Sequence, residues 1–174
     1  EIWEETARHL QSGEMPPQEL LREMNVEVVC STDDPTSSLD LHERAAEEVE
    51  GVDVLPTWRA DRAVHIGHRE WDAFVEELAD ATSVDTSDLD GFLDALTETH
   101  DHFAAHGCRA SDLSVREPVS RPVDRRRAER IYATERRGEG LTDEERADFA
   151  AFVLEYIGEL KVEKGWVTQL HIGP

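Results

Sequence analysis

Residues 142–174 read TDEERADFAAFVLEYIGELKVEKGWVTQLHIGP. Thr142 stands three positions before Glu145, the reciprocal pairing that opens a helix. Phe149, Phe152, Val153, Tyr156, Ile157 and Leu160 then recur at helical spacing, so an amphipathic helix is expected through Leu160. Gly165 stops it. Val167, Leu170 and Ile172 follow as a strand, with His171 near its carboxyl end and Gly173 permitting a sharp exit.

The same alternation runs through the upstream sequence. Ile2 to Leu10 reads as a helix ended by Gly13 and Pro16-Pro17, and Gln18 to Met24 as a second. VEVVCSTDDP (26–35) is a buried strand with its loop. Ser38 can cap the next helix, with Leu39, Ala45, Ala46 and Val49 inward and Gly51 at its end. VDVLPTWRAD (52–61) is the second strand and its exit loop. Trp71, Phe74, Val75 and Leu78 mark one helix, and Leu89, Phe92, Leu93, Leu96 and Phe103 another, stopped by Gly107. CRASDL (108–113) is the third strand, and Arg125 to Arg137 a basic helix. Strands alternating with helices imply parallel strands joined by helical crossovers, an α/β fold. A chain of 174 residues can bury one sizeable core.

The charge is extreme: 40 acidic against 18 basic side chains, a net of −22, and only Lys161 and Lys164 are lysine. The acids are spread along the chain, which suits a solvated coat in a salty, halophilic cytoplasm better than a binding tail. The same sign argues against nucleic acid as a partner. No apolar run reaches the length of a membrane span and no signal peptide opens the sequence, so a soluble, cytoplasmic protein without a membrane partner is expected. Cys30 and Cys108 have no metal-binding spacing and are expected to be buried free thiols.

In parallel α/β folds ligands bind at the carboxyl ends of the strands. Polar groups gather at those ends: Thr32, Asp33 and Asp34; Arg59 and Asp61; Asp112; His171. Arginine binds a carboxylate bidentately, and histidine titrates near neutrality. Taken singly, each has an ordinary structural explanation. Arg59 suits a surface ion pair, Asp112 a cap, Asp33 and Asp34 a turn before Pro35, and His171 a hydrogen-bonded strand-end ring. His100-x-His102 lies in a helical pattern, where the two rings diverge, and His102 shares a face with His106; the cluster is expected to be solvated helix surface. His65 and His68 read as loop residues.

In order and spacing, VVCSTDDP, VLPTWRAD, GCRASDL and GWVTQLHIG closely resemble the uronate (glucuronate) isomerases of the amidohydrolase superfamily. The opening IWEETARHL and the LLREMNVEVV before the first strand extend the likeness over essentially the whole chain. The resemblance implies a distorted (β/α)8, TIM-type barrel that interconverts D-glucuronate with D-fructuronate and D-galacturonate with D-tagaturonate. A divalent cation, commonly zinc, is held near the barrel mouth of such enzymes. Residues 1–174 would be a central segment, about four parallel strands with crossover helices and a helical insertion at about 66–106. Arg59 matches the arginine of the family's WRPD, with Ala60 in place of proline. Asp112 matches the aspartate of SDH, with Leu113 in place of histidine. His171 matches the histidine of QLHIG, and Pro174 departs from the small residue usual after its glycine.

Arg59 is thus expected to bind the substrate, Asp112 and His171 to be catalytic, and Asp33 and Asp34 to line the site. The family's His-x-His is expected before residue 1, and the aspartate and arginine of its last strand beyond residue 174. The segment alone is therefore expected to be inactive and to hold no metal through its own residues. Its expected partners are the sugar acid, the remainder of the barrel, and further copies meeting at open sheet edges. The rival expectation is a non-catalytic acidic assembly module that retains the fold. Hydrolysis by a related amidohydrolase is a weaker enzyme alternative, because WRAD and CRASD are isomerase-like.

Overall fold

The computed structural model describes residues 1–13, 16–115 and 120–172; the expectations for Gly173 and Pro174 lie outside the described residues. The chain divides into two units, residues 1–31 with 39–55, and residues 32–38 with 56–174.

The first unit holds α1 (Ile2–Gln11), α2 (Pro17–Glu23), β1 (Val28–Cys30), α3 (Asp40–Glu48) and β2 (Asp53–Leu55). β1 and β2 pair in parallel, Val28 with Asp53 and Cys30 with Leu55. Three expectations are corrected here. The first strand is not buried: Val28 is 50% exposed, and Cys30 is an exposed thiol, while only Cys108 is buried. Among the described residues of this unit β1 pairs only with β2, against which α3 packs, so β1 has little covering it. Ser38 does not cap α3. Leu39 does so in the left-handed region, φ 63°, without a side-chain hydrogen bond. The helix starts one residue later than a Ser38 cap implies, with Ala46 outward and Ala45 and Val49 half-buried.

The second unit holds α4 (Asp61–Val64), α5 (Trp71–Thr82), α6 (Leu89–Ala105), β3 (Ala110–Val115), α7 (Arg125–Arg136), α8 (Asp143–Lys164) and β4 (Val167–Ile172). Its core follows the helical periodicity. Trp71, Phe74, Val75 and Leu78 of α5 are buried, as are Phe92, Leu96 and Phe103 of α6, Ile131 and Tyr132 of α7, and Phe149, Val153 and Ile157 of α8. Burying each large side chain contributes roughly 1.5–3 kcal/mol. The Trp71 ring lies 5.8 Å from Phe92, 5.4 Å from Tyr132 and 6.0 Å from Phe149, so each of the four helices places one ring in a single cluster. The Tyr132 hydroxyl donates to Thr86 O at 2.7 Å, and burial pushes its pKa up.

α8 begins with the expected capping box. Thr142 Oγ1 accepts from Glu145 N at 3.2 Å, and Glu145 Oε2 accepts from Thr142 N at 2.9 Å. Gly165, φ 68°, ends it in the left-handed region and turns the chain into β4.

β3 and β4 pair in parallel, with Asp112 opposite Gln169 and Ser114 opposite His171. Single parallel bridges join Asp33 to Trp58 and Trp58 to Ser111. The expected parallel strands are therefore present, as two pairs with isolated bridges in the second unit.

His100 overturns the expectation of a solvated surface. It is 1% exposed, its ring 5.3 Å from Trp58 and 4.0 Å from Trp166. It follows Leu96 by four positions and so continues the apolar stripe of α6. His102 is exposed as expected, 4.4 Å from the His106 ring. Among the described residues no helix is long and apolar enough to cross a membrane.

Candidate active site

Strand alternation builds the site. The main chain of Trp58 is bound on β3: Trp58 N donates to Ala110 O and Asp112 N to Trp58 O, both at 3.2 Å. The fully buried Trp58 indole turns toward α6, where Nε1 donates to Thr99 Oγ1 at 3.3 Å. Arg59, the next residue of this extended stretch, therefore takes the other face. Its N–H donates to Asp33 O at 2.9 Å, fixing it beside the end of the preceding segment. On β3, Ser111 shares the Trp58 side, and Asp112 shares the Arg59 side.

Three of the expected site residues meet there. Arg59 Nη1 lies 3.7 Å from Asp112 Oδ2, and Asp112 Oδ1 lies 2.7 Å from His171 Nε2. Asp112 is nearly buried, while the His171 side chain is 55% exposed and reachable from solvent. The Oδ1–Nε2 contact is short but poorly aligned: among the described residues Oδ1 accepts no well-directed hydrogen bond. A buried acceptor without an aligned donor is a group waiting for a partner.

Asp33 contributes its backbone to this cluster through the bonds to Thr57 and Arg59. Asp34 turns aside. Its Oδ1 accepts from Thr36 N at 3.0 Å, and its Oδ2 lies 3.4 Å from Arg62 Nη1, so it forms the turn that its place before Pro35 suggests.

Two further residues belong to the site. Asp61, at the start of α4, accepts from Arg59 Nε at 2.8 Å and from Ser114 N at 2.7 Å. Asp61, by that hydrogen bond and its charge, holds the Arg59 guanidinium above its ordinary pKa, with Asp112 adding to it against the opposing effect of burial. Gln169 Nε2 lies 3.0 Å from His171 Nε2. Its signal in the sequence is the two-residue strand period, which puts Gln169 and His171 on one face. A separate cavity of about 770 Å³ is lined in part by Arg62, His65, His68, Trp71, Val115 and Arg146; none of Arg59, Asp112 and His171 borders it.

The fold and the cluster define an α/β protein in which a guanidinium, a carboxylate and an imidazole meet beside short parallel strands; Asp112, expected after its strand, lies inside β3 opposite Gln169. The glucuronate isomerase family model matches residues 1–174, and the chain belongs to that family. A uronate isomerase of Thermotoga maritima is 49% identical over 173 residues, covering 99% of this chain and 38% of that protein. One from Oceanobacillus iheyensis is 35% identical over 172 residues, 98% of this chain and 36% of that protein. A crystal structure of the Thermotoga maritima uronate isomerase superposes with a TM-score of 0.93, over 99% of this chain and 38% of that one. A glucuronate isomerase structure from Caulobacter crescentus, at 23% identity over 90% of this chain and 33% of its own, shares the fold with a TM-score of 0.83. The chain thus spans well under half the length of these relatives.

Proposed function

We propose that this chain serves in a uronate isomerase, interconverting D-glucuronate with D-fructuronate and D-galacturonate with D-tagaturonate. The observation that carries the reading is the meeting of Arg59, Asp112 and His171 in a member of this family. Arg59 binds the carboxylate of the sugar acid through paired N–H donors. An aldose–ketose interconversion moves a proton between C1 and C2 and shifts protons on their oxygens. Asp112 and His171 handle that traffic: His171, the exposed member of the pair, faces the substrate and passes the proton, and Asp112 beside it orients the ring. Asp33 lines the site, with Asp34 behind it in the turn.

In this reading the parallel strands are consecutive strands of a (β/α)8 barrel, and residues 66–106 are a helical insertion on it. The exposed Val167, Leu170 and Ile172 of β4 are the surface the remaining strands cover. Turnover then belongs to a polypeptide of the relatives' length, and residues 1–174 alone do not isomerise uronates. Among the described residues no three metal-ligating side chains cluster, and Asp112 with His171 supplies only two donors. The residues present do not make a zinc site by themselves. The exposed edge of β4 also suits the second reading, an assembly module; uronate turnover separates the two.

Arg59→Gln tests the proposal in the polypeptide expressed from its own gene. Losing one or two charge-assisted hydrogen bonds, about 1.5–3 kcal/mol each, raises KM for D-glucuronate roughly tenfold to a hundredfold or more. Ketose formation at an unchanged KM would remove Arg59 from the substrate.

A further inference from the structure

We infer that Asp61 is the positioning residue of this site: one carboxylate aims the Arg59 guanidinium and fastens the stretch of β3 that carries Asp112 and pairs with His171. The inference rests on the carboxylate-binding reading of Arg59. Asp61 Oδ2 takes the Nε–H of Arg59 at 2.8 Å, and Oδ1 takes the backbone N–H of Ser114 at 2.7 Å. Ser114 is the register partner of His171, and it lies two residues beyond Asp112 on the same face of β3. A single side chain thus sets the distance between the guanidinium and the Asp112–His171 pair.

The choice of Nε matters chemically. An arginine can offer a carboxylate either its Nε edge or its Nη1–Nη2 end. With Nε engaged by Asp61, the end fork is what Arg59 presents, and Nη1 already points toward Asp112. The Asp61 side chain is 17% exposed and Arg59 39%, so the clamp is sheltered while the fork stays open to a ligand. A free arginine side chain must freeze several torsions on binding; one already held at Nε loses less.

The two oxygens can be separated by mutation. Asp61→Asn keeps a carbonyl oxygen for Ser114 N but puts an NH2 group against Arg59 Nε–H, donor against donor. Asp61→Ala removes both contacts. Asp61→Asn is expected to raise KM for D-glucuronate at least tenfold with kcat changed less than threefold, while its urea midpoint stays near wild type; Asp61→Ala is expected to lower that midpoint as well. Asp61→Asn added to Arg59→Gln is expected to cost less than twofold beyond Arg59→Gln alone. The Nε–H resonance of Arg59, protected from exchange in the wild type, is expected to lose protection in Asp61→Asn. A fully additive double variant, or an Nε–H equally protected in Asp61→Asn, overturns the inference. If the Arg59→Gln variant turns over glucuronate normally, the functional reading fails, and Nε–H protection alone then decides whether the clamp exists.

Discussion

His100 is the residue whose surroundings most constrain its chemistry. It is packed between two indoles, its Nε2 has no hydrogen-bond partner among the described residues, and burial pushes its pKa down to about 4 from 6.5. Asp101 opposes that shift, and the ammonium groups of Lys164 and Lys161 reinforce it. Lys161 is itself buried, its pKa pushed down by burial to about 8. The folded state holds the imidazole neutral, so its contribution is fully present above pH 6.5. Between 6.5 and 4 the unfolded chain binds a proton that the folded chain does not, and stability falls as pH falls. The loss is on the order of 1–3 kcal/mol. His100→Leu is expected to flatten the urea midpoint between about pH 7 and 5 relative to wild type; an equal slope in both proteins would contradict it. This burial was legible in the spacing of Leu96, His100 and Phe103, but the imidazole masked it. A polar ring in an apolar stripe reads as surface until its neighbours are known.

Helix α6 shows how an element can depend on one missing side chain. Asp88 Oδ1 accepts from Gly91 N at 2.9 Å, capping the helix, and the chain doubles back so closely that a Cβ on Gly91 would lie 1.8 Å from Asp85 O. Gly91→Ala, helpful by propensity, is therefore expected to destabilise by about 2–4 kcal/mol, more than the roughly 1 kcal/mol expected for Asp88→Ala. Urea unfolding of the two variants gives the order, and a stabilised Gly91→Ala would disprove the close approach. Element boundaries were legible where side chains make them, as in the Thr142–Glu145 box of α8. They were hidden where the backbone makes them: Leu39 at φ 63° carries no such signal, since bulky residues rarely enter that region. The residues of the site were legible in the same uneven way. Arg59, Asp112 and His171 have evident chemistry, but only His171 stands near the end of its strand; Arg59 lies beyond β2 and Asp112 inside β3. The role of Asp61 needed the three-dimensional approach of Ser114 N, which no spacing encodes.

At the scale of the whole chain, the net charge of −22 dominates. Arginines answer some of the acids, Asp148 being held by Arg121 at 2.9 Å and Arg127 at 3.0 Å, yet most carboxylates face solvent. Raising potassium chloride from about 0.1 M to about 2 M shortens the screening length to a few ångströms and is expected to raise Tm. A Tm that falls or stays flat over that range would show that self-repulsion is not what limits stability. The parallel strands were legible in the alternation of helix and strand; their division into two pairs was not, because pairing depends on register and on bridges one residue long. The ring cluster built from Trp71, Phe92, Tyr132 and Phe149 has an optical consequence. Four chromophores from four helices share one chiral environment, so near-ultraviolet dichroism reports all four helices docking together. Loosening any one of them would dim the share of the band that all four rings make together, while Trp58 and Trp166, buried outside the cluster, keep theirs.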